Sequence, residues 1–113
     1  MKLNKRRVKI NLDQQARDDF KLSKKSVIGW IILASYCYYQ RDENILSDEA
    51  FDKMCKYVLG NWTVIDHKFK YLMSEEDMKA GSLNTLKYED YPRGFIKIAE
   101  GKIKEVNLLR TID

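Results

Sequence analysis

From Val27 to Arg41 the chain reads VIGWIILASYCYYQR. Val27, Ile28, Trp30, Ile31, Ile32, Leu33 and Ala34 leave a helix over this segment with no polar face, and such a helix has to be surrounded by other elements. Its apolar run, VIGWIILASYCYY, is 13 residues long, short of the ~20 that a bilayer requires. The N-terminus has no signal-peptide layout. The expectation is therefore the central helix of a soluble, cytoplasmic protein with no membrane contact. Gly29, Ala34 and Ser35 are small enough to let a neighbour approach. Tyr36, Tyr38 and Tyr39 carry hydroxyls to the end where the helix leaves the core, as pocket wall or as boundary residues.

A central helix needs partners, and 113 residues with 44% hydrophobic and 12% aromatic content can supply them within one domain. The charge is uneven. The first 25 residues hold nine Lys or Arg against three Asp, and the remainder twelve against fourteen, so an excess near +6 precedes a body near −2. The basic start, MKLNKRRVKINL, suits phosphate backbones or an acidic partner, with Lys5, Arg6, Arg7 and Lys9 as the contacts. A solvated terminus that aids solubility is the alternative. Cys37 and Cys55 form no CxxC, and with a single His no thiolate–imidazole zinc set can be assembled, so both read as reduced, buried cysteines.

The other elements follow from caps and spacing. VKINL, Val8 to Leu12, alternates like a short strand, leaving edge strand and extended arm both open. DQQARDDFKL predicts a short helix with Asp13 as N-cap and Ala16 and Phe20 on one face. Ser23 and Ser26 offer caps for the central helix. Ser47 caps a further helix whose first turn carries Asp48, Glu49 and Asp52. Its inner stripe is Phe51, Met54, Cys55, Val58 and Leu59, and Gly60 is its expected C′ residue. After Trp62, read as a loop anchor with base stacking as the alternative, one short helix starts at Ser74 and closes at Gly81. The rest of that stretch reads as ordered loop, and FIKIAEGKIKEV predicts a last helix despite Gly101. The fold class expected is mainly α: a bundle of about four to five short helices with a long ordered loop region. Residues 1–12 form the basic arm or strand and 13–113 the helical domain.

Catalytic signatures are sparse. His67 is the sole imidazole and reads as a hydrogen-bonded structural residue, and no GxSxG elbow presents a serine. The GxxxxGK[ST] and GxGxxG phosphate loops are absent because the five glycines are isolated. The chain is expected to be no enzyme, to require no cofactor and to hold no metal.

One run points further. YYQRDENILSDEAFDKM, Tyr38 to Met54, resembles the small N-terminal subdomain of bacterial NAD-dependent DNA ligases. That family's pattern is roughly Tyr-[His/Tyr]-x-x-Asp-x-Pro-x-[Ile/Leu]-[Ser/Pro]-Asp-x-x-Tyr-Asp-x-[Leu/Met]. Tyr38, Tyr39, Asp42, Leu46, Ser47, Asp48, Asp52 and Met54 match without a gap. Phe51 stands in place of the second tyrosine, Asn44 in place of the proline, and Tyr39 where histidine is frequent. More loosely, DHKFKYLMSEEDMKAGSLNTLKYEDYPRGFIKIA is similar to the tail of small phage-encoded proteins described as ligase-related, so the likeness spans about residues 30–100.

The resemblance implies a pocket for the nicotinamide mononucleotide half of NAD, formed by Tyr38, Tyr39, Asp48, Phe51 and Asp52, with Arg41 available to a phosphate. A flat nicotinamide cation gains from an aromatic face and a carboxylate, and ribose hydroxyls donate to aspartates. The adenylating KxDG motif occurs nowhere in the chain. The function expected is a non-catalytic, phage-type accessory module that recognises NAD or nicotinamide mononucleotide. The alternative is a small interaction protein that modulates a host enzyme or nucleic-acid complex through its basic arm, with no nucleotide ligand.

Overall fold

The computed structural model describes residues 10–112. Among the described residues five α-helices follow one another: α1 Asp13–Leu22, α2 Ser26–Arg41, α3 Asp48–Gly60, α4 Glu75–Ala80 and α5 Arg93–Ile112, with 3-10 turns at Lys70–Leu72 and Tyr88–Asp90. No strand occurs among the described residues. The protein is mainly α, as the apolar periodicities require.

Helix α2 is the centre. Val27, Ile28 and every residue from Trp30 to Cys37 are buried, and α1, α3 and α5 all pack against it. Each fully buried Ile side chain contributes about 1.5–3 kcal/mol through removal from water, so Ile28, Ile31 and Ile32 alone outweigh any single polar contact in the molecule. Helix α5 brings Ala99, Ile103 and Val106 to the core. Polar groups tie the outer helices down: Trp30 Nε1 donates to Asp19 of α1 at 2.8 Å and the Tyr36 hydroxyl to Glu100 of α5 at 2.9 Å. Lys102 lies 5.3 Å from the centre of the Trp30 ring. The six-residue α4 is far below the ~12 residues at which a helix persists alone. A capping box between Ser74 and Asp77, burial of Met78 and the left-handed Gly81 (φ 66°) hold it in place.

The structure revises several local expectations. Asp13 is not an N-cap: Asn11 Oδ1 accepts from its backbone N–H at 3.0 Å, and its carboxylate reaches across to α3 instead. There Asp13 accepts from the Ser47 backbone N–H at 2.9 Å and from the Ser47 hydroxyl at 2.6 Å. Ser47 in turn accepts from Ala50 N–H at 3.0 Å, the cap expected of it. Neither Ser23 nor Ser26 caps α2, which starts from a backbone turn in which Ser26 N–H bonds Ser23 O. Gly60 is the last helical residue of α3 rather than a left-handed C′, with Asn61 following as C-cap. At Leu12 the backbone N–H pairs with Ile45 O at 2.8 Å without forming a strand; Val8 and Lys9 lie outside the described residues. The last helix runs through Ile112, further than the apolar spacing indicated.

Asp13 and Ser47 link the N-termini of α1 and α3 through their side chains. Asp13→Ala and Ser47→Ala are each expected to lower unfolding stability by about 1–2 kcal/mol. The double variant should lose about 0.5–1 kcal/mol less than the sum, because the two changes remove shared bonds. Urea denaturation of the four proteins measures both quantities.

Candidate functional site

Helix α2 passes from core to surface within one turn: Cys37 is fully buried and Tyr38 is 50% exposed. Asp42, left-handed at φ 52°, ends the helix, and Glu43 N–H closes back on Cys37 O. The chain then crosses to the capped start of α3, burying Ile45 and Leu46 on the way. Between these parts lies a cavity of about 210 Å³. Its walls are Ser35, Tyr38 and Tyr39 from α2, Asn44 to Leu46 from the crossing, Asp48 and Phe51 from α3, and Gly81 after α4.

Four of the five residues that the ligase resemblance singled out thus meet around one space: Tyr38, Tyr39, Asp48 and Phe51. The two tyrosine rings are edge to face, 4.9 Å between centroids at 86°, and the Tyr39 hydroxyl shares a hydrogen bond with Ser82 Oγ at 2.9 Å. Asp52 is the exception. It lies one turn along α3, exposed and paired with Lys56 at 3.0 Å, and it does not line the cavity. Its Oδ1 sits 3.2 Å from where a Cβ on Gly81 would be, so at that left-handed position any side chain would be both strained and crowded.

Arg41, the expected phosphate contact, is also elsewhere. Its guanidinium is bonded to Glu100 of α5, because the C-terminal turn of α2 faces α5 there. Lys5, Arg6, Arg7 and Lys9 lie outside the described residues. Among the described residues no Lys or Arg lines the cavity, and the larger polar cleft that shares Asn44, Leu46 and Asp48 with it has Asp42 and Glu43 beside Arg110. Arg110 is itself engaged with Asn44 O at 2.7 Å, Ile10 O at 3.2 Å and Glu43 at 3.8 Å. The site is acidic and aromatic, suited to a cation or to hydroxyl donors and unsuited to a phosphate.

Several wall residues went unnoticed as site residues in the sequence, Ser35 and Gly81 among them. Ser35 is 1% exposed, and its hydroxyl has no hydrogen-bond partner among the described residues. A lone serine in an apolar helix is a legible signal, since such a hydroxyl needs an acceptor or a ligand. Gly81 offered no signal, because only the packing of α4 on α3 brings it there.

The titratable groups near the site do structural work. The Arg41 bond holds Glu100 below the ordinary carboxylate range against partial burial, with the Tyr36 hydroxyl as a further donor. Burial first, then the Glu100 bond, pushes Tyr36 up to about 12. Burial pushes both free thiols, Cys37 and Cys55, up to about 12, so neither is a thiolate at neutral pH. His67 Nδ1 accepts from Phe69 N–H at 3.0 Å, and burial together with Lys25 lowers its pKa. Trp62 packs on the core, with Lys70 Nζ 4.5 Å from its ring centre. No three His, Cys, Asp or Glu converge as metal ligands among the described residues. Compared with family models, with curated proteins and with solved structures, the chain matches none.

Because Glu100 is depressed in the folded state, its contribution is present above the unfolded value of about 4.3 and is lost as pH falls through the lower folded value. Stability measured by denaturant titration between pH 6 and 3 should fall less steeply in Glu100→Gln than in the wild type.

Proposed function

We propose that this chain is a non-catalytic binding module of phage type, related to the nicotinamide-recognising subdomain of the NAD-dependent ligases. Its cavity would take the nicotinamide–ribose end of NAD or of nicotinamide mononucleotide. The observation that carries this reading is the convergence of Tyr38, Tyr39, Asp48 and Phe51, chosen from the sequence, on one space. In it the Phe51 and tyrosine rings face the planar cation, Asp48 accepts from a ribose hydroxyl or balances the ring charge, and the unpartnered Ser35 hydroxyl meets the carboxamide. At about 210 Å³ the cavity is below the ~300 Å³ at which drug-sized ligands begin. It has room for a ring and part of a sugar, and the phosphate would project toward the acidic cleft, where it gains little.

Affinity should be modest. Nicotinamide riboside has roughly 18 non-hydrogen atoms, and about 0.3 kcal/mol per atom gives a Kd near 0.1 mM. Calorimetric titration should show saturable binding of nicotinamide riboside at least as tight as that of the mononucleotide or NAD. Asp48→Ala should abolish it, Ser35→Ala should weaken it severalfold without loss of stability, and Asp52→Ala should leave it intact. No heat for any of the three at millimolar ligand would overturn the reading.

A second reading, an interaction protein without a nucleotide ligand, is favoured by the charge near +6 on the first 25 residues. It makes removal of residues 1–9 the damaging change and leaves NAD irrelevant.

A further inference from the structure

Helices α1 and α3 both lie on α2 and meet each other through Phe20 and Tyr57, whose rings stand edge to face at 5.0 Å and 89°. Outside that contact runs an open groove of about 380 Å³, floored by Phe20, Met54 and Tyr57, all only partly buried against the core. It is separate from the cavity above: Asp48 and Phe51 face one side of α3, Met54 and Tyr57 the other.

Its rim is basic. Arg17 and Lys21 stand on the α1 wall and Lys53 on the α3 wall, all exposed. Arg17 donates from Nε and Nη2 to the neutral Gln14 Oε1 at 3.2 and 3.1 Å, so its charge is uncompensated. Neither Lys21 nor Lys53 has an acidic partner among the described residues. The one carboxylate of the lining among the described residues, Asp13, is held by the neutral Ser47 and keeps its charge, so the lining carries three cations against one anion. Three cations surrounding aromatic and thioether surface form a complementary seat for something apolar with acidic flanks.

We propose that this groove docks an acidic amphipathic helix of a partner protein. The walls are themselves helices, and an apolar stripe at i, i+3/i+4, i+7 spacing lays into such a groove, its flanking carboxylates meeting Arg17 and Lys21 on one side and Lys53 on the other. Cations on both walls suit a helix with acids along both flanks better than an amphiphile with a single charged head. Residues 1–9 of the chain do not qualify as occupant, since they hold five Lys or Arg and no carboxylate. A second copy offers an exposed apolar patch at the end of α5, Leu108, Leu109 and Ile112, but from Lys104 to Ile112 that helix carries a single carboxylate, Glu105, already bonded to Gln15, and so has no acids along both flanks.

The test is fluorescence anisotropy with a labelled helix probe of roughly 18 residues, carrying a Leu/Phe stripe with Glu on both flanks. A probe with the same stripe and Lys on the flanks is the control. The Glu-flanked probe should bind about tenfold tighter, the scale of three exposed ion pairs, and should weaken as salt rises. Arg17→Glu, Lys21→Glu and Lys53→Glu together should invert the preference while circular dichroism stays unchanged. Absence of saturation up to about 1 mM, equal binding of both probes, or indifference to the charge reversal would each overturn the proposal. So would dodecanoate saturating the groove where the Glu-flanked probe does not, or self-association of the chain that the reversal abolishes. The nicotinamide titration reads a different cavity, so either idea can fail without the other.

Discussion

A helix with no polar face admits one solution in water, which is to be wrapped. Helix α2 imposes that on every other part of the chain: α5 supplies Ala99, Ile103 and Val106, α3 supplies Cys55 and Val58, and α1 supplies Ala16. Connecting segments add Ile45, Leu46, Ile65, Leu83 and Tyr91. The wrapping must stop where α2 turns polar. Between Cys37, fully buried, and Tyr38, half exposed, the burden changes from excluding water to satisfying hydroxyls and helix-end carbonyls. The cavity opens at that boundary, bounded by a left-handed Asp42 that turns the chain away and a Ser47 cap that turns it back into helix.

Helix α3 divides two surfaces of opposite character. Toward α2 it presents Asp48 and Phe51 to a space whose surroundings include Asp42 and Glu43; toward α1 it presents Lys53, Met54 and Tyr57 to a groove whose far wall carries Arg17 and Lys21. The separation follows from helical geometry, since residues 48, 51 and 55 share one face and 50, 53, 54 and 57 the next. A ligand cation and an acidic partner would thus be drawn to different sides of the same element. Both surfaces hang on the Asp13–Ser47 link, which fixes where α3 begins relative to α1.

The sequence by itself determined the mainly helical class, the central place of Val27 to Cys37, the Ser47 and Ser74 caps and the Gly81 stop. Each depends on spacing or cap chemistry within a few residues, which the chain carries locally. It also brought Tyr38, Tyr39, Asp48 and Phe51 forward as one group. Only the tertiary structure decided that Asp52 turns away to Lys56, that Arg41 is committed to Glu100, and that Asp13 serves another helix instead of capping its own. It also decided that Ser35 and Gly81 complete the wall. In each case the partner or space lies across the packed helices, and whether a charged or polar side chain is free depends on what the packing brings within about 3 Å of it. Hydrophobic periodicity specifies which side of a helix is buried but not against which atom its polar groups come to rest.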